Sequence, residues 1–161
     1  MATIHLILQG KGGVGKSMIA ALIAQYQLTK GKRPLCLDTD PVNASFQAYK
    51  GLPVTRLNIL QDEEIDPRSF DQLVELISQA KGDVVIDNGA SSFVPLSAYL
   101  ITNHVPALLQ SLSHQIVVHT VITGGQAQSD TLHGFTQLVK QFPSDVSFVV
   151  WLNPYWGPIE R

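Results

Sequence analysis

Gly10-Lys11-Gly12-Gly13-Val14-Gly15-Lys16-Ser17 is the stretch of this sequence whose residue types and spacing are best suited to chemistry. It matches G-x-x-x-x-G-K-[ST], a loop in which glycines let backbone N–H groups turn inward on phosphate oxygens while the following helix adds its positive end. In such a loop Lys16 reaches the β and γ phosphates and the Ser17 hydroxyl ligates Mg²⁺. Met18, on the first turn of the helix that follows, borders the same nucleotide. Lys11 is an extra cation, not needed to hold phosphates that Lys16 already contacts. An ammonium about 4 Å from a phosphate oxygen is worth roughly 4 kcal/mol at an effective dielectric near 20, so Lys11 can serve a second subunit's phosphates. The alternative for Lys11 is a solvated loop lysine.

Carboxylates stand at two further points. Asp87 follows the apolar run Val84-Val85-Ile86, where a Walker B aspartate would hold the hydration shell of Mg²⁺. Asp38 and Asp40 can serve the metal shell and orient an attacking water, or can form a turn or helix cap ahead of Ala44 to Tyr49.

These groups need a scaffold that brings them to one edge. Thr3 to Leu8 is a short apolar, β-branched run that reads as a buried strand. From Lys16 the apolar residues Ile19, Ala20, Ile23, Ala24 and Leu28 recur at helical spacing, ending at Thr29-Lys30-Gly31. Strands are expected at Pro34 to Leu37, Val54 to Leu60, Asp83 to Ile86, Ile116 to Ile122 and Val146 to Leu152. Helices are expected at Ser69 to Ala80 and from Gly124-Gly125 to about Phe142. Strands that are apolar on both faces and alternate with helices imply an α/β fold, a doubly wound, mainly parallel sheet covered on both sides. The carboxyl ends of such strands share the edge that carries the loop, so Asp38, Asp40 and Asp87 should converge on the nucleotide.

Composition narrows the classes. The 161 residues are 45% hydrophobic and 15% charged with net charge -2, which excludes a disordered chain, and 12 Gly and 9 Pro exclude a collagen-like one. No Lys/Arg block offers a counterion-release surface for nucleic acid or anionic lipid. The low charge fraction leaves apolar surface for a partner. Cys36 cannot form an internal disulfide and reads as a small core residue of a reducing compartment. The N-terminus lacks signal-peptide features and no apolar run is long enough to span a bilayer, so a cytoplasmic location is expected. His5, His104, His114, His119 and His133 show no metal-ligand spacing, and His119 on a core strand is expected to satisfy a hydrogen bond. Gly89-Ala90-Ser91-Ser92 lacks the spacing of a nucleophile elbow. Trp151, Pro154, Tyr155, Trp156 and Pro158 can line a base pocket, a partner surface or a packed corner.

The phosphate loop with its second lysine, Asp38-Thr39-Asp40-Pro41 and the strand ending in Asp87 resemble the deviant Walker A, switch I and Walker B elements of ParA/MinD ATPases, in matching order across most of the chain. The surrounding text is similar to members encoded in plasmid conjugal-transfer regions. The resemblance implies ATP/ADP and Mg²⁺ as cofactors and one P-loop nucleotide-binding domain over residues 1–161. It implies an ATP-dependent homodimer whose Lys11 crosses to the other subunit's phosphates, and partners in a conjugation or secretion apparatus. By the same resemblance Asp40 would position the hydrolytic water, Asp38 and Asp87 would support Mg²⁺ through its waters, and Asn153 would read the adenine edge. The alternative for Asn153 is a strand-ending turn before Pro154.

Two departures stand out. After Asp87 the family usually carries small residues and prolines, whereas this chain has Asn88-Gly89-Ala90-Ser91-Ser92. The family also normally carries further strands and helices after the Asn153 strand, so the resemblance implies a chain lacking a C-terminal part. The expected function is a Mg-dependent ATPase switch of conjugal transfer or DNA partition. The alternatives are a nucleotide-sensing interaction module with little hydrolysis and a small-molecule phosphotransferase.

Overall fold

The computed structural model describes residues 1–61 and 64–160. Among them, strands β1 (Thr3–Ile7), β2 (Leu35–Asp38), β3 (Val54–Arg56), β6 (Val84–Asp87), β7 (Gln115–Thr123) and β8 (Ser147–Asn153) form one sheet in the order β3-β2-β6-β1-β7-β8. Every pairing in it is parallel. A separate antiparallel pair, β4 (Leu60–Gln61) and β5 (Glu64–Ile65), lies between β3 and the first of the later helices. The helices are α1 (Lys16–Thr29), α2 (Pro67–Ser78), α3 (Phe93–Thr102), α4 (Val105–Ser111) and α5 (Gln128–Gln141), with 3-10 turns at Gly125–Ala127 and Pro154–Trp156.

Alternation along the strands builds two cores. On β1, Ile4 and Leu6 join Val84, Ile86, Ile116 and Val118 against α2 to α5. Ile7 faces the other way, with Val85, Cys36 and Val121, against Ile19, Ala20, Ile23 and Ala24 of α1. The sheet is thus covered on both faces, and its central strands are apolar on both sides because neither face meets water. Cys36 is fully buried, as expected of a core residue. No described helix is long and apolar enough to cross a membrane.

The expected strands and helices are present with ends shifted by a few residues. The segment from Val54 to Leu60 is not one strand: β3 stops at Arg56 and a second pairing begins at Leu60. Helices α3 and α4 were not legible as separate elements; both are strongly apolar, neither has a side-chain N-cap, and α4 starts after His104 in a left-handed conformation (φ 52°).

One buried polar side chain ties α5 to the phosphate loop. Gln9 Nε2 donates to the carbonyls of Val121 (2.9 Å) on β7 and Thr131 (3.1 Å) on α5. Its Oε1 lies against Gly134, where an added Cβ would stand 2.5 Å away. Gly134→Ala should therefore destabilise the protein by about 1–3 kcal/mol, despite the better helix propensity of Ala, because the pinned Gln9 amide must move. A urea titration checks this: the midpoint falls while the slope is unchanged.

Candidate functional site

The loop between β1 and α1 is shaped by backbone that an L side chain resists. Gly13 and Gly15 have φ of +73° and +104°, in the left-handed region. A Cβ at Gly12 or Gly13 would meet nothing within 4 Å, so the loop keeps an open side. Gly10 sits against the Phe93 ring, which a Cβ would approach to 3.0 Å. Val14, buried in the α1-side core, anchors the loop from below.

Lys16 and Ser17 open α1 on that cradle. Lys16 is only 8% exposed, and its Nζ folds back to donate to the Lys11 carbonyl at 2.9 Å. Burial lowers its pKa, opposed by the charges of Asp87 and Asp40. The Ser17 hydroxyl lies beside Asp87, at the end of β6, and lowers its pKa. Asp87 is buried, and its Oδ1 has no hydrogen-bond partner. Burial pushes its carboxyl up to about 7, against the pull of Ser17 and Lys16. An orphaned buried carboxylate oxygen beside a serine hydroxyl and a lysine fits Mg²⁺, which typically takes one or two carboxylates together with phosphate oxygens and waters. Among the described residues no group of three or more His, Cys, Asp or Glu forms a metal cage of its own.

The Asp87 value has a stability consequence. Its folded pKa lies above the usual 3.8, so its contribution is present below the unfolded value and is lost as pH rises through about 7. Asp87→Asn should therefore raise the stability of the ligand-free protein at about pH 8, on the order of 2–4 kcal/mol. The same variant should lose any stabilisation by Mg·nucleotide, and thermal melts with and without it measure both.

Asp38 and Asp40 come to the same edge but differ in availability. Asp38 is fully buried, and its two oxygens accept from the backbone N–H groups of Asp40 (3.0 Å) and Gln47 (2.9 Å). Its carboxylate shapes the loop after β2, and it does not line the cleft. Asp40 does line the cleft, while its Oδ1 caps the N–H groups of Val42 (2.9 Å) and Asn43 (3.1 Å). Gly89 lies against Asp40, where a Cβ would stand 2.7 Å from Oδ1, so the loops after β2 and β6 are in close contact. Residues 45 to 48 form a turn, and no helix follows Asp40 there.

Asn153, at the end of β8, uses both ends of its amide within the chain. Nδ2 donates to the Val14 carbonyl at 2.9 Å, and Oδ1 accepts from the Tyr155 N–H at 3.1 Å. It clamps the phosphate loop to β8. The cleft in front of the loop, about 600 Å³, is lined by Gly12, Gly13, Gly15, Lys16, Ser17 and half-exposed Met18, by Asp40, Val42, Asn43 and Ser45, and by Ala90 and Ser91.

Lys11 points elsewhere: its Nζ pairs with Asp130 of α5 at 2.8 Å, with both side chains largely exposed. It borders a second cavity with Gly125, Gln126, Ala127 and Trp156, whose indole N–H donates to the Gly13 carbonyl at 3.4 Å. Trp151 instead packs at the α1-side core and bonds His119, which is thereby satisfied as expected of a core histidine. Sequence reasoning missed Asp130 and Gln9. The signals were an acidic residue in the first turn of α5 and a polar residue interrupting an apolar strand end just before Gly10.

A parallel sheet with a glycine-rich loop between its first strand and first helix, Lys16 and Ser17 opening that helix and an aspartate at the end of the adjacent strand define a P-loop nucleotide-binding fold. Residues 5–140 match the CobQ/CobB/MinD/ParA nucleotide binding domain, and the chain belongs to that family. It is 69% identical over all 161 residues to Protein TraL of Escherichia coli, covering 67% of that protein. It is also 29% identical over 157 residues to Protein MobD of Acidithiobacillus ferrooxidans, covering 96% of this chain and 65% of MobD. Among solved structures, the signal recognition particle receptor FtsY of Elizabethkingia anophelis, in complex with GDP, is similar in fold. It matches with a TM-score of 0.51 and 19% identity, over 92% of this chain and 48% of FtsY.

Proposed function

We propose that residues 1–161 form one domain that binds Mg·ATP in the cleft and acts as an ATP-dependent dimeric switch, a cytoplasmic component of plasmid conjugal transfer or partition. The observation that carries this reading is the proximity of Lys16 and Ser17, which line the cleft, to buried Asp87 behind them, whose Oδ1 has no hydrogen-bond partner. Lys16 leaves the Lys11 carbonyl to take β and γ phosphate oxygens, and the backbone N–H groups of residues 12–16 close around the β phosphate. Ser17 and Asp87 would hold Mg²⁺ and its waters, and the chemistry the ion would supply is neutralisation of charge on the phosphate oxygens. Asp40 orients the attacking water from the cleft wall. Asn153 holds the loop in shape through Val14 and has one amide N–H left for the base.

Lys11 is the inter-subunit residue. Its pair with Asp130 is exposed on both sides, a kind of contact that contributes little and exchanges readily. Triphosphate on a second subunit offers it a more highly charged partner. Asp130→Asn should therefore dimerise at a lower Mg·ATP concentration than the natural sequence, by a small factor, as read by light scattering across an ATP titration.

One observation favours a second reading, a nucleotide sensor with little hydrolysis: Asp40 Oδ1 is already engaged by two backbone N–H groups. Calorimetric titration with Mg·ATP and Mg·ADP, together with phosphate release, tests the proposal. Binding with slow, partner-stimulated turnover supports the switch; binding with turnover at background under every condition supports the sensor; no binding removes both. The apparatus that receives the switch is sought among transfer proteins, whose association should depend on Mg·ATP.

A further inference from the structure

Three side chains outside the cleft form a hydrogen-bonded chain across the α1 face of the sheet. The Trp151 indole N–H on β8 donates to His119 Nδ1 on β7 at 3.0 Å, and His119 Nε2 lies 2.9 Å from His5 Nδ1 on β1. An indole nitrogen is a donor only, so the direction of the whole chain follows. His119 carries its hydrogen on Nε2 and gives it to His5 Nδ1. The hydrogen of His5 then sits on Nε2, a buried atom with no hydrogen-bond partner.

The pair has no protonated form that keeps both contacts. A second hydrogen on His119 Nδ1 opposes the indole N–H. A hydrogen on His5 Nδ1 either opposes His119 Nε2–H or shifts His119 to its other tautomer, which again turns an N–H on the indole. The surroundings keep the rings neutral. Burial lowers both, His119 to about 4, while Asp83 pulls His5 up and Lys32 pulls it down. Asp83 and Lys32 are themselves paired at 2.9 Å. Cys36, in register with His5 through Val85, has its thiol pushed up to about 11 and adds no charge. With folded values below the unfolded one, the neutral pair contributes stability that is present above about pH 6.5 and is lost as pH falls through the folded values.

The chain ends on the strand that holds the phosphate loop. Among the described residues β8 pairs with β7, and two residues beyond Trp151 it carries Asn153, the clamp on Val14. We infer that Trp151, His119 and His5 position the phosphate loop through β8: with both rings neutral they tie β8 to β7 and β1, and proton uptake frees Trp151 and slackens the Asn153 clamp. This rests on reading the loop as nucleotide-binding.

The test has two arms on the intact chain, over the pH range in which its far-ultraviolet circular dichroism is constant. The first follows the indole N–H resonance of Trp151, assigned by its loss in Trp151→Phe or, should that variant not fold, by its survival in Trp156→Phe. It should move from a hydrogen-bonded toward a free position as pH falls from about 7.5 to about 3.5, through the His119 value of about 4. The second compares Mg·ADP affinity of the natural sequence and Asn153→Ala. The natural sequence should bind more tightly at about pH 7.5, by about 3- to 10-fold through the Val14 clamp on top of a base contact that does not vary with pH, and the ratio should shrink toward that base contact alone in step with the indole titration. Phosphate and Asp87 titrate alike in both proteins and cancel in the ratio. An indole signal fixed across the range, or a ratio that does not change with pH, overturns the inference. Failure of Mg·ADP to bind at any pH overturns the nucleotide reading instead, and is told apart because the indole titration needs no ligand.

Discussion

Lys16→Ala is expected to abolish nucleotide binding while leaving the fold in place. Lys16 is buried in the loop, and its ammonium donates to the carbonyl of Lys11. Replacing that carbonyl by phosphate exchanges a dipole for full negative charge in a partly desolvated site, worth roughly 4 kcal/mol per charge at 4 Å and an effective dielectric near 20. The affinity for Mg·ATP and Mg·ADP should therefore drop by about 10²- to 10³-fold, after allowance for the desolvation of the phosphate. Lys16→Arg should not restore it, because a planar guanidinium needs a wider, forked seat than the compact ammonium occupies. The folded state survives because α1 is held through Ile19, Ala20, Ile23 and Ala24. Calorimetry on the variant, with circular dichroism to show the fold, measures this; binding within a few fold of the natural sequence would remove Lys16 from the phosphate site.

Lys11→Ala separates binding from assembly. Lys11 lies away from the cleft, on Asp130, and contributes to the loop through its backbone carbonyl, which alanine retains. Nucleotide affinity should stay within about threefold, a change well under one strong charge contact. The ATP-dependent dimer should be lost, and with it hydrolysis that depends on a lysine supplied across the interface, an effect of about 10³-fold or more where finger residues act on other P-loop enzymes. Sedimentation or light scattering with a non-hydrolysable Mg·ATP analogue reads the assembly. A Lys11→Ala protein that dimerises like the natural sequence would show that this lysine is a solvated loop residue with an α5 partner.

What the sequence made legible is what is local. The phosphate loop, α1 and the strand ending in Asp87 are contiguous runs whose spacing reflects a single element, and they appear where periodicity places them. The parallel sheet followed from strands apolar on both faces. Less legible were features that depend on packing between distant segments. Asp38 looks like a metal-shell residue by position, yet its carboxylate is consumed by the N–H groups of Asp40 and Gln47, a loop geometry that residue spacing does not encode. Asn153 marks a strand end in sequence, but its bond to Val14 joins residues 139 apart. α3 and α4 were hidden because mostly apolar helices without caps give no amphipathic contrast; Val94 is exposed while Leu96, Leu100 and Leu109 are buried, so hydrophobicity alone does not tell which side faces the sheet.

The departure after Asp87 also has a structural form. Asn88 is buried, its Oδ1 hydrogen-bonded by Ser92 (2.7 Å) and Thr39 (3.3 Å), so this residue links the end of β2 to the start of α3. Gly89 then packs on Asp40. The two loops that flank the cleft are therefore joined to each other, a geometry in which one change at the cleft reaches both.

The most direct measurement is the solution mass of this chain by light scattering, taken without nucleotide, with Mg·ADP and with a non-hydrolysable Mg·ATP analogue. A dimeric ATP switch gives a monomer in the first two states and a dimer only with the triphosphate. A monomer in all three, alongside demonstrated nucleotide binding, or a dimer indifferent to nucleotide, would contradict it.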